Sequence, residues 1–340
     1  MRFASSLLPG LALAGALAGA ATLVATLHGG PQMLYALFFG IALNHLAHAP
    51  RTRPGVEFAA RSVLRLGVGL LGVRITMAQV AALGWPTVAV VVAAVASTMG
   101  LAVLLGRRLG LGRAHSLLAG GAVAICGASA ALAIAAVLPR DTKDGARTTL
   151  LVVVAVTLLS TLAMVLYPLV VRAFELPPLL GGLFLGGTIH DVAQVVGAGY
   201  TVSPATGDTA TVVKLFRVAL LSVVVASIAY AYRRQRAAEA AAAAKAAPRG
   251  HKAARPSLLP WFLWLFVGMV VLNSTIGLAP VLQEGLSALS RGCLVLAIAA
   301  LGVKTSFMQL ARMGWRPVLL IVAETLWLAC FVLVAALSLR

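Results

Sequence analysis

Apolar residues fill this chain in long uninterrupted runs, and polar positions gather in short intervals between them. The runs Thr87–Leu105, Leu150–Val171 and Pro317–Leu337 lack the two-residue alternation of a membrane barrel, so helices are predicted. About 20 apolar residues cross the hydrocarbon of a bilayer, and lipid offers no hydrogen-bond partner to irregular backbone. Eleven spans are expected, near 7–27, 32–48, 60–80, 85–106, 114–138, 148–171, 179–200, 209–232, 259–278, 288–309 and 316–337. The fold class is therefore all-α, that of a polytopic membrane protein.

Composition agrees: of 340 residues, 61% are hydrophobic and 11% charged, against about 25% charged in soluble domains. The formal charge of +18 raises the question of nucleic acid. Lys and Arg fall mostly between spans rather than along one soluble face, so a nucleic-acid partner is excluded in favour of positive-inside topology. The interval after Tyr232 carries Arg233, Arg234, Arg236, Lys245, Arg249, Lys252 and Arg255 against Glu239 alone, which marks it as cytoplasmic. Alternate counting then puts Arg51, Arg53, Arg61, Arg65, Arg107, Arg108 and Arg113 on the same side. It places the loop Arg140 to Asp144 outside, the N-terminus in the cytoplasm and the C-terminus outside.

Residues 1–31 form an extra N-terminal helix, 32–175 a first half and 176–340 a second half containing a basic, Ala-rich cytoplasmic linker at 233–257. The opening run imitates a signal peptide, but it is long enough to span and is expected to be retained. Cys126, Cys293 and Cys330 show no ligand or disulfide spacing, so neither a metal nor a cofactor is expected.

One segment recurs. Leu71-Gly72-Val73-Arg74-Ile75-Thr76-Met77-Ala78-Gln79-Val80-Ala81-Ala82-Leu83-Gly84-Trp85 matches Leu301 to Trp315 at seven of fifteen positions, with Arg74 facing Lys304. Apolar bias makes Leu and Val matches cheap, but not the shared Gln, Gly-Trp and basic residue. The copies fall on the third and tenth spans, so they run in opposite directions. Inverted repetition puts a transporter's substrate site near the midplane. Asn44 and Asn273 extend the match across a one-residue gap. Arg74 and Lys304 are read as span-end cations that snorkel.

Two spans carry chemistry. The fifth holds Gly120-Gly121 followed by Cys126, Gly127 and Ser129; the seventh holds Gly186-Gly187-Thr188-Ile189-His190-Asp191 and then Gln194. Glycine weakens a helix by about 1 kcal/mol and permits a break, and the half-helix that restarts presents free N–H groups to an anion. Close packing of small residues is the alternative. Lys214 and Arg217, three apart on the eighth span, are neighbours. Ionisable groups at this depth cost at least ~2.5–3.5 kcal/mol each, which makes them functional candidates. Asp191 or His190 is available to carry a coupling proton, and a structural pairing of Asp191 with Lys214 or Arg217 is the alternative. Glu324 is a further buried acid without a motif. No Walker A sequence is present and no nucleophile motif surrounds Ser129, so an enzyme is not expected.

The phrases Gly121 to Ala130, Gly187 to Val195 and Val213 to Val218 together resemble the YeiH-like bacterial inner-membrane family, labelled sulfate exporters, over nearly the whole chain. The departures are Ala128, where the pattern usually has Asn, and Asp191, where it has Glu. The resemblance implies a multi-pass plasma-membrane protein with inverted repeats and crossing broken helices, grouped with bile-acid symporters and cation/proton antiporters. Five-plus-five repeats of that group pair the fifth span with the tenth, whereas the match above pairs the third with the tenth.

The expected function is secondary transport of a small inorganic or organic anion, sulfate or a sulfonate, coupled to a proton or sodium. The expected substrate site comprises Cys126, Gly127, Ser129, Gly187, Thr188, His190, Gln194, Lys214, Arg217, Asn44 and Asn273, with coupling at Asp191 or His190. An anion channel and a non-transporting sensor or partner protein are the alternatives. The expected surroundings are the lipid bilayer, with homo-oligomerisation left open.

Overall fold

The computed structural model describes residues 2–28, 31–45, 49–138, 145–234, 261–305 and 314–340. Every regular element among the described residues is helical, and the protein is an all-α, polytopic membrane protein. Its helices are α1 (Arg2–His28), α2 (Gln32–Ala42), α3 (Arg53–Phe58), α4 (Leu64–Leu70), α5 (Met77–Ala82), α6 (Gly84–Arg108), α7 (Arg113–Gly121) and α8 (Ala128–Ala135). There follow α9 (Gly145–Ala173), α10 (Pro178–Thr188), α11 (Val192–Val202), α12 (Pro204–Ala231), α13 (Trp261–Thr275), α14 (Pro280–Lys304) and α15 (Trp315–Ser338). Among the described residues the long apolar runs give α1, α6, α9, α12, α14 and α15, six helices long and apolar enough to cross a membrane. Trp85 and Trp315 open α6 and α15 and are 76% and 65% exposed, the interfacial position that suits an amphipathic ring.

The fifth and seventh runs depart from expectation. Both break where the glycines and polar residues predicted, but neither continues across. After α7 a π-helical turn, Ala122–Cys126, leads to Gly127 at φ 61° and ψ −124°, a conformation open to glycine and strained for any side chain. The chain then folds back: Gly121 lies against Ile134, so α7 and α8 form a hairpin with Gly127 at its tip. In the other run, Ile189 and Asp191 are extended and α11 returns beside α10. Gly182 meets Thr209 while Gly199 meets Gly207, and Arg172 at the end of α9 donates to Thr201 O at 3.1 Å. Half-helices of 8–11 residues reach only about half of a ~30 Å core at 1.5 Å per residue. The hairpins enter from opposite faces, because α9 crosses between them. The tips meet, since a side chain at Gly127 would touch His190 Cβ at 3.6 Å.

The repeat is visible in the packing. Leu71–Arg74 closes the α3–α4 run as a 3₁₀ turn, and Lys304 closes α14. The two runs lie antiparallel, with Gly67 against Ser290 and Gln283 Nε2 donating to Val73 O at 3.2 Å. At the crossing of α2 and α14, Gly40 and Gly302 are so close that a Cβ on either would enter the other helix's backbone. The shared glutamine has a local explanation in the first copy, where Thr76 and Gln79 form a capping box opening α5. Gln309, its counterpart, lies outside the described residues.

Arg316 at the start of α15 is beside Gly110, and Arg340 donates to Phe174 O at 3.3 Å. The chain therefore ends on the face opposite Arg108, the relation expected from counting. The Arg140 to Asp144 loop, expected on that opposite face, lies outside the described residues. The described end of α8 returns to the Arg113 face, because α8 folds back along α7. Of the 233–257 linker, Arg233 and Arg234 are described; 235–257 lie outside the described residues.

Candidate functional site

Two hairpin tips meeting at mid-depth create an electrostatic problem. The last turns of α7, with its π turn, and of α10 aim unbonded carbonyls at the junction, each end equivalent to about half a negative charge. Lys214 and Arg217 on α12, 0% and 1% exposed, answer it. The Arg217 guanidinium donates to Ala124 O from Nε (3.1 Å) and Nη2 (2.7 Å). It also donates to Val123 O (3.1 Å), Gly186 O (3.0 Å) and Ile189 O (3.2 Å). Five bonds match the five N–H groups of arginine. Lys214 Nζ donates to Ile125 O and, at 2.9 Å, to Ile189 O. Both cations thus bridge the two tips. With Asp191 nearby, two half-charges and one carboxylate balance two cations.

Lys214 and Arg217 are expected from sequence to hold the substrate; all five Arg217 donors and two of the three Lys214 donors go to the protein's own carbonyls, and neither residue lines the cavity described below. His190, fully buried, contacts Val123 O through Nδ1 (3.2 Å) and Thr325 Oγ1 through Nε2 (3.1 Å). A carbonyl only accepts, so Nδ1 carries a proton; the Thr325 hydroxyl also reaches Ile321 O at 2.8 Å, and its one hydrogen serves either that carbonyl or Nε2. Thr188 donates to Phe184 O at 2.6 Å and Gly187 packs on Val332. Gln194 Nε2 donates to Thr161 Oγ1 at 2.8 Å, and its Oε1 is buried without a partner among the described residues. These residues stand behind the tips.

In front of them is a cavity of about 690 Å³. Its floor is the opposite ends of the half-helices: Cys126, Ala128 and Ser129 where α8 begins, Asp191 and Val192 where α11 begins. Gly127 gives α8 no side-chain cap, and Ala128 and Ser129 of its first turn line the cavity. Asp191 Oδ1 accepts from Ala193 N at 2.9 Å, capping α11, and Asp191 N donates to Ser160 Oγ at 2.9 Å. Thr157, Val153, Leu221 and Phe262 contribute to the walls. The remaining charged lining is Arg53, Arg61, Arg65 and Lys304 against Glu57, and Arg53 is paired with Glu57 at 3.1 Å. Lys304 interacts electrostatically with Glu57 and Asp191.

On the face where α11 ends, Arg74 Nη2 approaches Asp208 Oδ2 at 3.9 Å, Tyr200 O–H donates to Asp208, and the Arg74 guanidinium lies 5.3 Å from the Tyr200 ring centre. The repeat-related cations therefore differ in surroundings: Arg74 ties α4's end to the second hairpin, and Lys304 faces the cavity.

Of the sequence candidates, Cys126, Ser129 and Asp191 line the cavity, with Gly127 shaping its floor. Asn44 and Asn273 do not line it. Asn44 Nδ2 donates to Val303 O at 2.8 Å and Asn273 Nδ2 to Ile75 O at 3.4 Å, so each braces the end of a repeat copy. Sequence reasoning missed Arg61, Arg65, Lys304 and Thr157. A usable signal existed: Glu57, Arg61 and Arg65 recur every four residues on one helical face beside an apolar run.

The family model described as "Conserved hypothetical protein 698" matches residues 9–321. The chain is 48% identical over 326 residues to the UPF0324 membrane protein TauZ of Paracoccus denitrificans, covering 95% of this chain and 93% of that one. It is 45% identical over 327 residues to a UPF0324 membrane protein of Chlorobaculum tepidum, covering 96% and 88%. A UPF0324 membrane protein of Bordetella bronchiseptica is 39% identical over 277 residues, 81% of this chain and 82% of that one. No solved structure matches. The resemblance read from the three sequence phrases is borne out.

Proposed function

The chain belongs to the Conserved hypothetical protein 698 (UPF0324) family, and from that premise we propose that it is a secondary carrier of a small oxyanion, sulfate or a sulfonate, exporting it across a bacterial plasma membrane. One observation carries the reading: a cavity with more cations than carboxylates ends on the N-termini of two half-helices at mid-depth. Each such end is worth about half a positive charge; that of α11 is capped by Asp191, and that of α8 carries no side-chain cap. The anion enters from the face bearing Arg53, Arg61 and Arg65, which we assign to the cytoplasm along with the N-terminus, because the basic ends of α6 and α12 lie there. It settles between the first turn of α8, Ser129 and Lys304.

Lys214 and Arg217 act one layer back, fixing the tips so that these helix ends converge. The contact of Arg74 with Tyr200 and Asp208 closes the far side, which supports alternating access over a channel. Rocking of the hairpin elements against the α2–α4, α13 and α14 elements would open it. The test is flux of sulfate, sulfite, thiosulfate, taurine and citrate in liposomes of purified protein. A carrier gives saturation and accelerated exchange when the same anion is loaded inside; a channel gives neither. Absence of flux and of exchange for all of them would reject the reading.

A further inference from the structure

Glu324 on α15 is fully buried, and both of its carboxyl oxygens lack a hydrogen-bond partner among the described residues. Its level in the fold is fixed on both sides. Trp327 Nε1 donates to Ser97 Oγ at 3.2 Å, and Leu320, one turn earlier, lies against Gly106. Glu324 therefore sits in the seam of α15 and α6 beside the stretch from Thr98 to Ala102. Among the described residues the Thr98 hydroxyl is also buried without a partner, as is Nε2 of His115. His115 lies one turn toward the Arg108 face, since its neighbour Ser116 packs on the same Gly106. The three unpartnered polar groups belong to three helices, α6, α7 and α15, that pack on one another.

Among the described residues no cation pairs with this carboxyl. The described titratable and charged side chains on the elements packed against α15 are Arg107 and Arg108 of α6, Arg113 and His115 of α7, Cys126 of the π turn, and Tyr167 and Arg172 of α9; α10 carries none. None of them bonds Glu324. Lys214 and Arg217 are spent on carbonyls. An ionised carboxylate so placed would carry a desolvation penalty of several kcal/mol with nothing to offset it. Its sequence neighbour Thr325 holds His190 at the tip of the second hairpin, so any displacement of α15 at this level reaches the tip directly.

We propose that Glu324 is a proton-binding site of the protein, taking up and releasing a proton where α15 packs on α6 and α7. Resting on the carrier reading above, this deepens it by moving proton coupling from His190 and Asp191 to Glu324.

The experiment is pH-difference infrared spectroscopy of the purified protein in liposomes, with Glu324→Gln and Glu324→Asp, alongside anion flux driven by a pH gradient. A carbonyl stretch from a protonated carboxyl should be present in the parent protein, vanish in Glu324→Gln, move in Glu324→Asp and fade on alkalinisation; the pH-driven component of flux should be lost in Glu324→Gln. A spectrum indifferent to Glu324→Gln, or a Glu324 band that no pH alters, would overturn the proposal. Glutamine is nearly the same shape, and the aspartate variant separates loss of the proton from loss of fold. The spectra need no flux, so failure of the carrier reading is distinguishable from failure of this one.

Discussion

The two ends of the half-helices at the junction are built from the same materials and used in opposite ways. Where α7 and α10 finish, two cations are buried to 0% and 1% exposure against converging carbonyls, and every donor of Arg217 is occupied. Where α8 and α11 begin, Ser129 is exposed to a cavity whose basic residues keep donors free of backbone carbonyls. The difference teaches that a basic residue deep in a membrane protein is not by itself a ligand for the cargo. A fold that stops helices at mid-depth must first neutralise its own carbonyl ends, and only what remains is available to an anion.

The largest effect that would break this comparison is Arg217→Ala. It removes five charge-assisted bonds and strands the carbonyls, a loss on the order of 3–5 kcal/mol. A marked fall in melting temperature and in recovered monodisperse protein is expected, with Arg217→Lys only partly restoring both. From sequence alone the same variant is expected to abolish transport in a well-folded protein, so thermal unfolding in detergent separates the two accounts.

Lys304→Ala and Arg61→Ala sharpen the contrast from the other side. Stability should change by no more than about 0.5 kcal/mol, while anion affinity weakens roughly tenfold for each. The affinity that remains should depend less on salt. Isothermal titration at two ionic strengths checks both statements.

Next in size is Gly127→Ala. The new methyl would meet His190 and Val156 at 3.6 and 3.7 Å, ordinary contact, so the cost is conformational, about 1–2 kcal/mol for a positive φ. The smallest effects concern the braces. Asn44→Ala should cost about 1 kcal/mol, and Asn273→Ala less, because its bond is longer at 3.4 Å. Neither should alter anion affinity, and thermal melts of the pair rank them.

Much of this architecture was legible in the chain. The breaks at Gly127 and around His190, the clustering of polar residues there and the inverted repeat follow from glycine placement and from one recurring segment. The fold-back of each broken run was not legible, because 25 apolar residues serve equally as one crossing helix or as two half-length ones. The choice is made by contacts such as Gly121 with Ile134. Spacing made Lys214 and Arg217 neighbours but could not say what they face, since backbone carbonyls leave no mark on composition. Lys304 looked like a span-end residue, and its proximity to Glu57 and Asp191 joins residues far apart in the chain. The asparagines looked like site residues because they match between repeats; they match because each braces the equivalent helix end.

The central claim is that the anion is received at the start of α8, in front of the Lys214–Arg217 cage. The most direct measurement is the rate at which a negatively charged thiol reagent modifies Ser129→Cys, in a protein whose Cys126, Cys293 and Cys330 are replaced by Ser. Rapid modification, slowed by saturating transported anion and no longer slowed after Lys304→Ala, is the predicted result. A cysteine at 129 that does not react, or that reacts at the same rate whether or not the transported anion is present, would contradict it.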